Sequence, residues 1–194
     1  YNHTVEEILP ALGSTAGINE FSDVSAEEFR AQRLMAKGIE PQSAPDGILS
    51  NMDVAKPLPA SYDWRNASQW LGYPVITPVK NQGTVGTCWA FSTTGNIEGQ
   101  WAQATKKLTS LSEEFLVNCD TNNCGIFGGW PYRAYSFIEQ AGGIPSEAAF
   151  PYCSGTGTCY PCMADHNRTF CGRPPEYCNK TYTDTSCSQL PPMA

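Results

Sequence analysis

The sequence predicts a mainly helical fold closed by an irregular, disulfide-held tail, on three observations. Small and apolar residues recur at helical spacing in the middle of the chain, at Ala90, Thr94, Ile97, Trp101 and Ala104. Two other stretches, at Ser25 and at Ser112, carry helix-start signals of their own. Of the 9 cysteines, every one but Cys88 lies at or beyond Cys119, and after Tyr152 the chain is rich in Cys, Pro and Gly with no clear period.

In order along the chain, residues 1–56 form a separate, largely polar segment. Ser25 and Glu28 make a capping box, Val24 can staple to Phe29, and the helix should run to about Lys37 and stop at Gly38. Residues 38–56 lack periodicity and read as extended chain. Pro57 and Pro59 also favour an extended backbone, so a processing cut between Met52 and Leu58 is expected. The central helix starts at Cys88 and ends near Ala104, before Lys106-Lys107. The next starts at Ser112, with Glu113 and Glu114 favourable in its first turn and Leu111 placed to staple against Leu116. In Gly128-Gly129-Trp130-Pro131 the paired glycines allow another backbone to approach closely, or simply form a turn before a helix with Trp130 in the core.

A net charge of −7 with no basic run argues against nucleic acid or an anionic membrane as partner. No apolar run approaches membrane-spanning length. Setting Cys88 aside leaves an even set of cysteines suited to four disulfides, and four glycosylation sequons, at Asn2, Asn66, Asn167 and Asn179, accompany them. Together they indicate the secretory pathway. The chain starts at Tyr1 without a visible signal peptide, as expected of a sequence that begins inside a longer precursor.

The chemistry is concentrated in Asn81-Gln82-Gly83-Thr84-Val85-Gly86-Thr87-Cys88-Trp89-Ala90-Phe91-Ser92. A loop delivers Cys88 to the first turn of a helix, where unpaired N–H groups and the dipole favour a thiolate, the nucleophilic form. The Gln82 amide and the Cys88 N–H are suited to hold an oxyanion. This stretch resembles the active-site segment of the papain-like (cathepsin) cysteine proteases. The resemblance continues through Leu58-Pro59-Ala60-Ser61-Tyr62-Asp63-Trp64-Arg65, Leu111 to Asp120, Gly142 to Glu147 and Phe150-Pro151-Tyr152. Gly17-x-Asn19-x-Phe21-x-Asp23 is similar to a motif in the family's inhibitory pro-segments.

The resemblance implies an α+β papain-like fold represented mainly by its helical left domain. Residues 1–56 would be the end of the pro-segment, 57–152 the helical domain and 153–194 a disulfide-bonded extension, with the sheet-rich right domain absent. It implies a cysteine-type endopeptidase made as a zymogen, with Cys88 as nucleophile and Gln82 in the oxyanion hole. Gly128, Gly129 and Trp130 would bind peptide or protein substrate, and the pro-segment would act as inhibitor. No metal or cofactor is implied, and the compartment would be lysosome-like or extracellular.

The sequence departs from the family in three places. Val85 and Ile126 stand where a disulfide is usual, so an apolar contact is expected to replace it. By family spacing Cys119 would pair with Cys159, leaving Cys124, Cys153, Cys162, Cys171, Cys178 and Cys187 with fifteen ways to pair. Cys159, Cys162, His166 and Cys171 allow a zinc site or a redox dithiol as an alternative. The family's histidine and asparagine should lie roughly 130–150 residues beyond the cysteine, but only 106 residues follow Cys88, and the histidines present, His3 and His166, lack the right setting. This chain alone is therefore expected to be catalytically incomplete. A secreted non-catalytic binding module or a disulfide scaffold is the rival reading.

Overall fold

The structure, a computed structural model, describes residues 17–34 and 60–156 together with Cys187. Its helices are α1 (Ala26–Arg33), α2 (Ser68–Leu71), α3 (Cys88–Thr105), α4 (Glu113–Cys119) and α5 (Pro131–Ala141), linked by turns and short 3₁₀ segments. Among the described residues the only strand-like pairing is an isolated antiparallel bridge between Leu111 and Ser146. The sequons at Asn2, Asn167 and Asn179, residue Cys159, the zinc-site alternative and the expected cleavage region 52–58 lie outside the described residues.

Local chemistry sets the helix starts. At α1 the Ser25 side chain accepts from the Glu28 N–H (3.2 Å) while the Glu28 carboxylate accepts from the Ser25 N–H (2.9 Å), so the capping box is closed both ways. Phe29 packs edge-to-face on Phe21, ring centroids 5.3 Å apart. Ser112 caps α4 through the Phe115 N–H (2.9 Å). Pro131 opens α5, and Gly142, at φ +80°, closes it in the left-handed conformation.

Helices α4 and α5 pack on α3. Leu111, Leu116, Phe115 and Val117 meet Trp89, Ala90, Ala134 and Ile144 in one core. A smaller cluster joins Ala67, Val75 and Ala102. The buried stripe of α3 differs from the expected one: Ala90, Thr94, Glu98 and Ala102 line it, Ile97 and Trp101 are half-buried and Ala104 is exposed. Four-residue steps carried the face through Glu98, a charged residue that a hydrophobic count passes over. Glu113 and Glu114 are buried too (1% and 0% exposed), so their role is internal pairing, not a solvated helix start.

Candidate active site

Cys88 is the first residue of α3, exposed, with a free thiol. The preceding Thr87 is fully buried, and its hydroxyl caps none of the helix N–H groups; it bonds the Tyr152 phenol at 2.8 Å. The side chain that ordinarily covers a helix start is thus turned away from the sulfur. Trp89 anchors the other side of this turn, buried and donating its indole N–H to the Gly125 carbonyl at 3.0 Å.

The Gln82 loop is held by its own turn and by distant chain. The Asn81 side chain accepts from the Gly83 N–H (2.9 Å), and Gly83 adopts φ +72°. A Cβ on Gly83 would fall 1.9 Å from the Gly155 carbonyl oxygen, so two glycine backbones meet there. The Tyr152 hydroxyl donates to the Gln82 carbonyl at 2.7 Å. The Gln82 amide donates to the Val85 carbonyl at 2.7 Å and to the Arg33 carbonyl at 3.3 Å. Arg33 in turn donates its guanidinium to the Gly83 carbonyl and lies over the Phe21 ring, 5.0 Å from its centroid.

Cys88 and Gln82 share a groove of about 550 Å³. One wall is the chain from Val79 to Gln82 with Cys88 and Phe91; the other is the N-terminal segment, through Phe21, Phe29, Arg33 and Leu34. The end of α1 therefore sits on the one amide suited to an oxyanion, using its donor for a main-chain carbonyl.

A buried ion-pair group that the sequence reading did not single out braces this wall. The Lys80 ammonium contacts Glu98 at 2.8 Å and Glu113 at 2.7 Å. Glu98 also accepts from Thr77 (2.6 Å) and the Leu111 N–H (2.8 Å), and Glu113 from Thr94 (2.6 Å). Burial alone would lower the Lys80 pKa; the hydrogen bonds that it donates to Glu113 and Glu98, with the charges of those carboxylates, outweigh it and raise the pKa above the ordinary lysine value. The chain leading into the Gln82 loop is thereby tied to α3 and α4. The available signal was Glu98 itself, a charge four residues beyond Thr94 on the inward face.

Gly128 and Gly129 are buried and Trp130 half-buried as N-cap of α5. A Cβ on Gly129 would lie 2.6 Å from Asn123 Oδ1 and 2.7 Å from the Trp89 ring, so close internal packing demands glycine. The Trp130 N–H donates to Asn123 Oδ1 at 2.7 Å. These three residues are placed against Asn123 and Trp89, while the groove is lined from the Val79–Gln82 chain, α3 and the N-terminal segment. Where a bridge was expected to be replaced, the Gly86 N–H donates to the Ile126 carbonyl at 2.8 Å, which joins the two loops through backbone, with Val85 and Ile126 both half-buried.

The expected Cys119–Cys159 pairing is corrected. Cys119 is bonded to Cys187, with Cα atoms 5.6 Å apart, a separation suited to a disulfide. Family spacing implies Cys159 and leaves Cys187 among the six cysteines whose pairing is open, because spacing does not record which thiols the fold brings together. Cys124 and Cys153 are disulfide-bonded as well.

The sequence profile of the "Papain family cysteine protease" matches residues 58–188. The chain belongs to the papain family. The match runs past Tyr152, where recognisable motifs fade, almost to the end of the cysteine-rich tail. Oryzain gamma chain of Oryza sativa subsp. japonica is 43% identical over 148 residues, covering 74% of this chain and 38% of its own length. Procathepsin L of Rattus norvegicus is 40% identical over 149 residues, 76% of this chain and 42% of its own. Among solved structures, digestive procathepsin L2 proteinase from Tenebrio molitor larval midgut superposes with a TM-score of 0.58 at 37% identity, over 72% of this chain and 44% of that one. The chain thus spans about two fifths of the length of the papain-family relatives it matches.

Proposed function

We propose that the protein to which these residues belong is a cysteine endopeptidase synthesised as a zymogen. The observation that carries this reading is the exposed Cys88 thiol at the mouth of α3, sharing a groove with the Gln82 amide. The Cys88 sulfur would attack a peptide carbonyl, the Gln82 amide and the Cys88 N–H would hold the resulting oxyanion, and water would hydrolyse the thioester. The proton for the departing amine would come from an imidazole supplied outside this stretch. Gly128, Gly129 and Trp130 are assigned to substrate by family resemblance alone.

Residues 1–56 would be inhibitory: the α1 segment walls the groove and its Arg33 carbonyl takes up the Gln82 donor. Residues 57–152 would form the helical domain and 153–194 its disulfide-bonded extension, tied back through Cys119 and Cys187. Disulfides and relatives named as procathepsins and digestive proteinases support a secretory route to a lysosome-like or extracellular site. No helix among the described residues is long and apolar enough to cross a membrane.

The test is peptide hydrolysis by the complete precursor after acid activation, compared with its Cys88→Ser variant. The expected loss is at least about a thousandfold; turnover that survives the substitution sinks the peptidase assignment, and a protein that never hydrolyses peptide favours the non-catalytic rival. For the inhibitory segment, removal of residues 1–56 should speed iodoacetamide labelling of Cys88 several-fold, and an unchanged rate refutes that role.

A further inference from the structure

We propose that Thr87 is a positioning residue for peptide hydrolysis, the joint that fixes the Gln82 amide relative to the Cys88 sulfur. The inference rests on the peptidase reading and deepens it by naming what holds the oxyanion donor in place.

The Thr87 hydroxyl does not serve the helix that it precedes. A threonine at this place ordinarily accepts from an N–H of the first helical turn. Thr87 has φ −102° and ψ 12°, and its side chain caps nothing. It is fully buried, so its contacts do not depend on what else covers the surface. Its hydroxyl lies 2.8 Å from the Tyr152 phenol, whose single proton goes to the Gln82 carbonyl at 2.7 Å. Thr87 is therefore the donor to Tyr152, and this chain of two hydrogen bonds ends on the Gln82 backbone. A second link starts from the Thr87 N–H, which donates to the Val85 carbonyl at 3.0 Å. The same carbonyl accepts from the Gln82 amide at 2.7 Å. Thr87 thus reaches Gln82 twice, at its main chain through Tyr152 and at its side chain through Val85. The Thr87 carbonyl accepts from the Ala90 N–H (2.9 Å) and the Phe91 N–H (3.3 Å), which close the turn of α3 that carries Cys88. With all three polar groups committed, one residue couples the nucleophile's helix to the Gln82 loop.

The consequence for chemistry lies in the Gln82 amide. It has two N–H bonds. The Val85 carbonyl takes one, and the other is left for an acceptor in the groove, a place held here by the Arg33 carbonyl at 3.3 Å. An oxyanion formed at Cys88 would take over from that carbonyl once the N-terminal segment has gone. A donor aimed in advance needs no reorganisation as the charge develops, and that is where its catalytic value lies. Without the Thr87 hydroxyl the Gln82 loop loses one of its two tethers to α3, and the amide must be ordered during the reaction itself.

The experiment uses the complete precursor after acid activation. Thr87→Val keeps the side-chain shape and removes the hydroxyl. It should lower kcat/KM for a peptide amide about tenfold, mostly in kcat, short of the roughly hundredfold that deletion of an oxyanion donor costs. Alkylation of Cys88 by iodoacetamide displaces iodide and builds no oxyanion, so its rate should stay within about twofold of the parent's. In a Gln82→Ala background Thr87→Val should cost nothing further, because the group that it positions is gone. Thr87→Ser, which restores the hydroxyl, should recover most of the activity. If Thr87→Val fails to fold, Tyr152→Phe breaks the same link from its other side and must show the same split and the same non-additivity. Hydrolysis and alkylation that fall together, full additivity with Gln82→Ala, or no rescue by Thr87→Ser would each overturn the proposal. A parent that hydrolyses no peptide sinks the peptidase reading and this inference with it, whereas an active parent matched by Thr87→Val sinks the inference alone.

Discussion

Tyr152 shows how one residue far along the chain holds the candidate site. Its phenol has a single proton, which goes to the Gln82 carbonyl (2.7 Å); the Thr87 hydroxyl, 2.8 Å away, must therefore donate to it. Burial pushes the phenol pKa well above the ordinary tyrosine value, so the proton stays in place throughout the physiological range. The ring packs edge-to-face on Phe91 at 4.9 Å, and a Tyr152→Phe substitution keeps that contact while leaving the Gln82 carbonyl without its donor. A loss of roughly 1 kcal/mol is expected in urea unfolding, the net worth of a typical hydrogen bond, since the Gln82 carbonyl is only partly buried. An unchanged midpoint would mean that water replaces the phenol and that the Gln82 loop is held by other contacts. The sequence marked Tyr152 only as the end of a familiar motif. Ser25 and Glu28, three apart, could be paired from the sequence alone; Tyr152 and Gln82, 70 apart, could not, because only the folded path brings them together.

At the scale of elements, helix starts were legible and helix interiors were not. Ser25 and Ser112 act through neighbours a few residues away, so α1 and α4 begin where local chemistry says, whereas α1 ends at Arg33 with Leu34 already extended, short of the expected Lys37. The inward face of α3 was misjudged at Glu98, since nothing near it in sequence discloses that Lys80 neutralises it. Two glutamates then give acid opposite effects on different elements. The Ser25 hydrogen bonds hold the Glu28 carboxyl below the ordinary value, so its support of α1 is present above the unfolded pKa and is lost as pH falls through the folded one. Burial raises the pKa of Glu147, opposed by the Tyr152 N–H and reinforced by the Glu113 and Glu114 charges. Its ionisation therefore burdens the folded state above that raised pKa, and the burden lifts as pH falls through it. From about pH 7 down to about pH 3, hydrogen exchange corrected for intrinsic rates should show α1 losing protection relative to α3, chiefly below the ordinary glutamate pKa of about 4.3. Glu147→Gln, which preserves an acceptor for the Tyr152 N–H, should make global stability less pH-dependent over the same interval. Equal loss of protection in both helices, or an unaltered pH profile in Glu147→Gln, would refute the assignment.

Across the whole molecule, family and fold class were legible because a dozen residues around Cys88 and the helical segments beyond it form a continuous match, whereas the bridge that ties the tail to the helices was not. Cys119 leaves the end of α4 in the core and meets Cys187, closing a loop of 68 residues. The family resemblance implied Cys159, yet Cys119 is bonded to Cys187, which packs against the same cluster as Leu116 and Ile144. A cross-link of that span removes chain entropy from the unfolded state worth up to about 4 kcal/mol. Other disulfides, at Cys124 and Cys153, already restrict the unfolded chain, so the measured effect should fall below that ceiling. The Cys119→Ser/Cys187→Ser double variant leaves no stray thiol and should unfold at a lower denaturant concentration by an amount equivalent to roughly 2–4 kcal/mol. Because the Gly83–Gly155 contact and the Glu114 bonds to the Cys153 and Ser154 N–H groups (both 3.0 Å) are separate attachments, the Gln82 loop should keep its place. Cys88 alkylation in the native double variant should then match that of the parent chain. Accelerated alkylation would show that the tail bridge, and not the local glycine and glutamate contacts, is what holds the groove in shape.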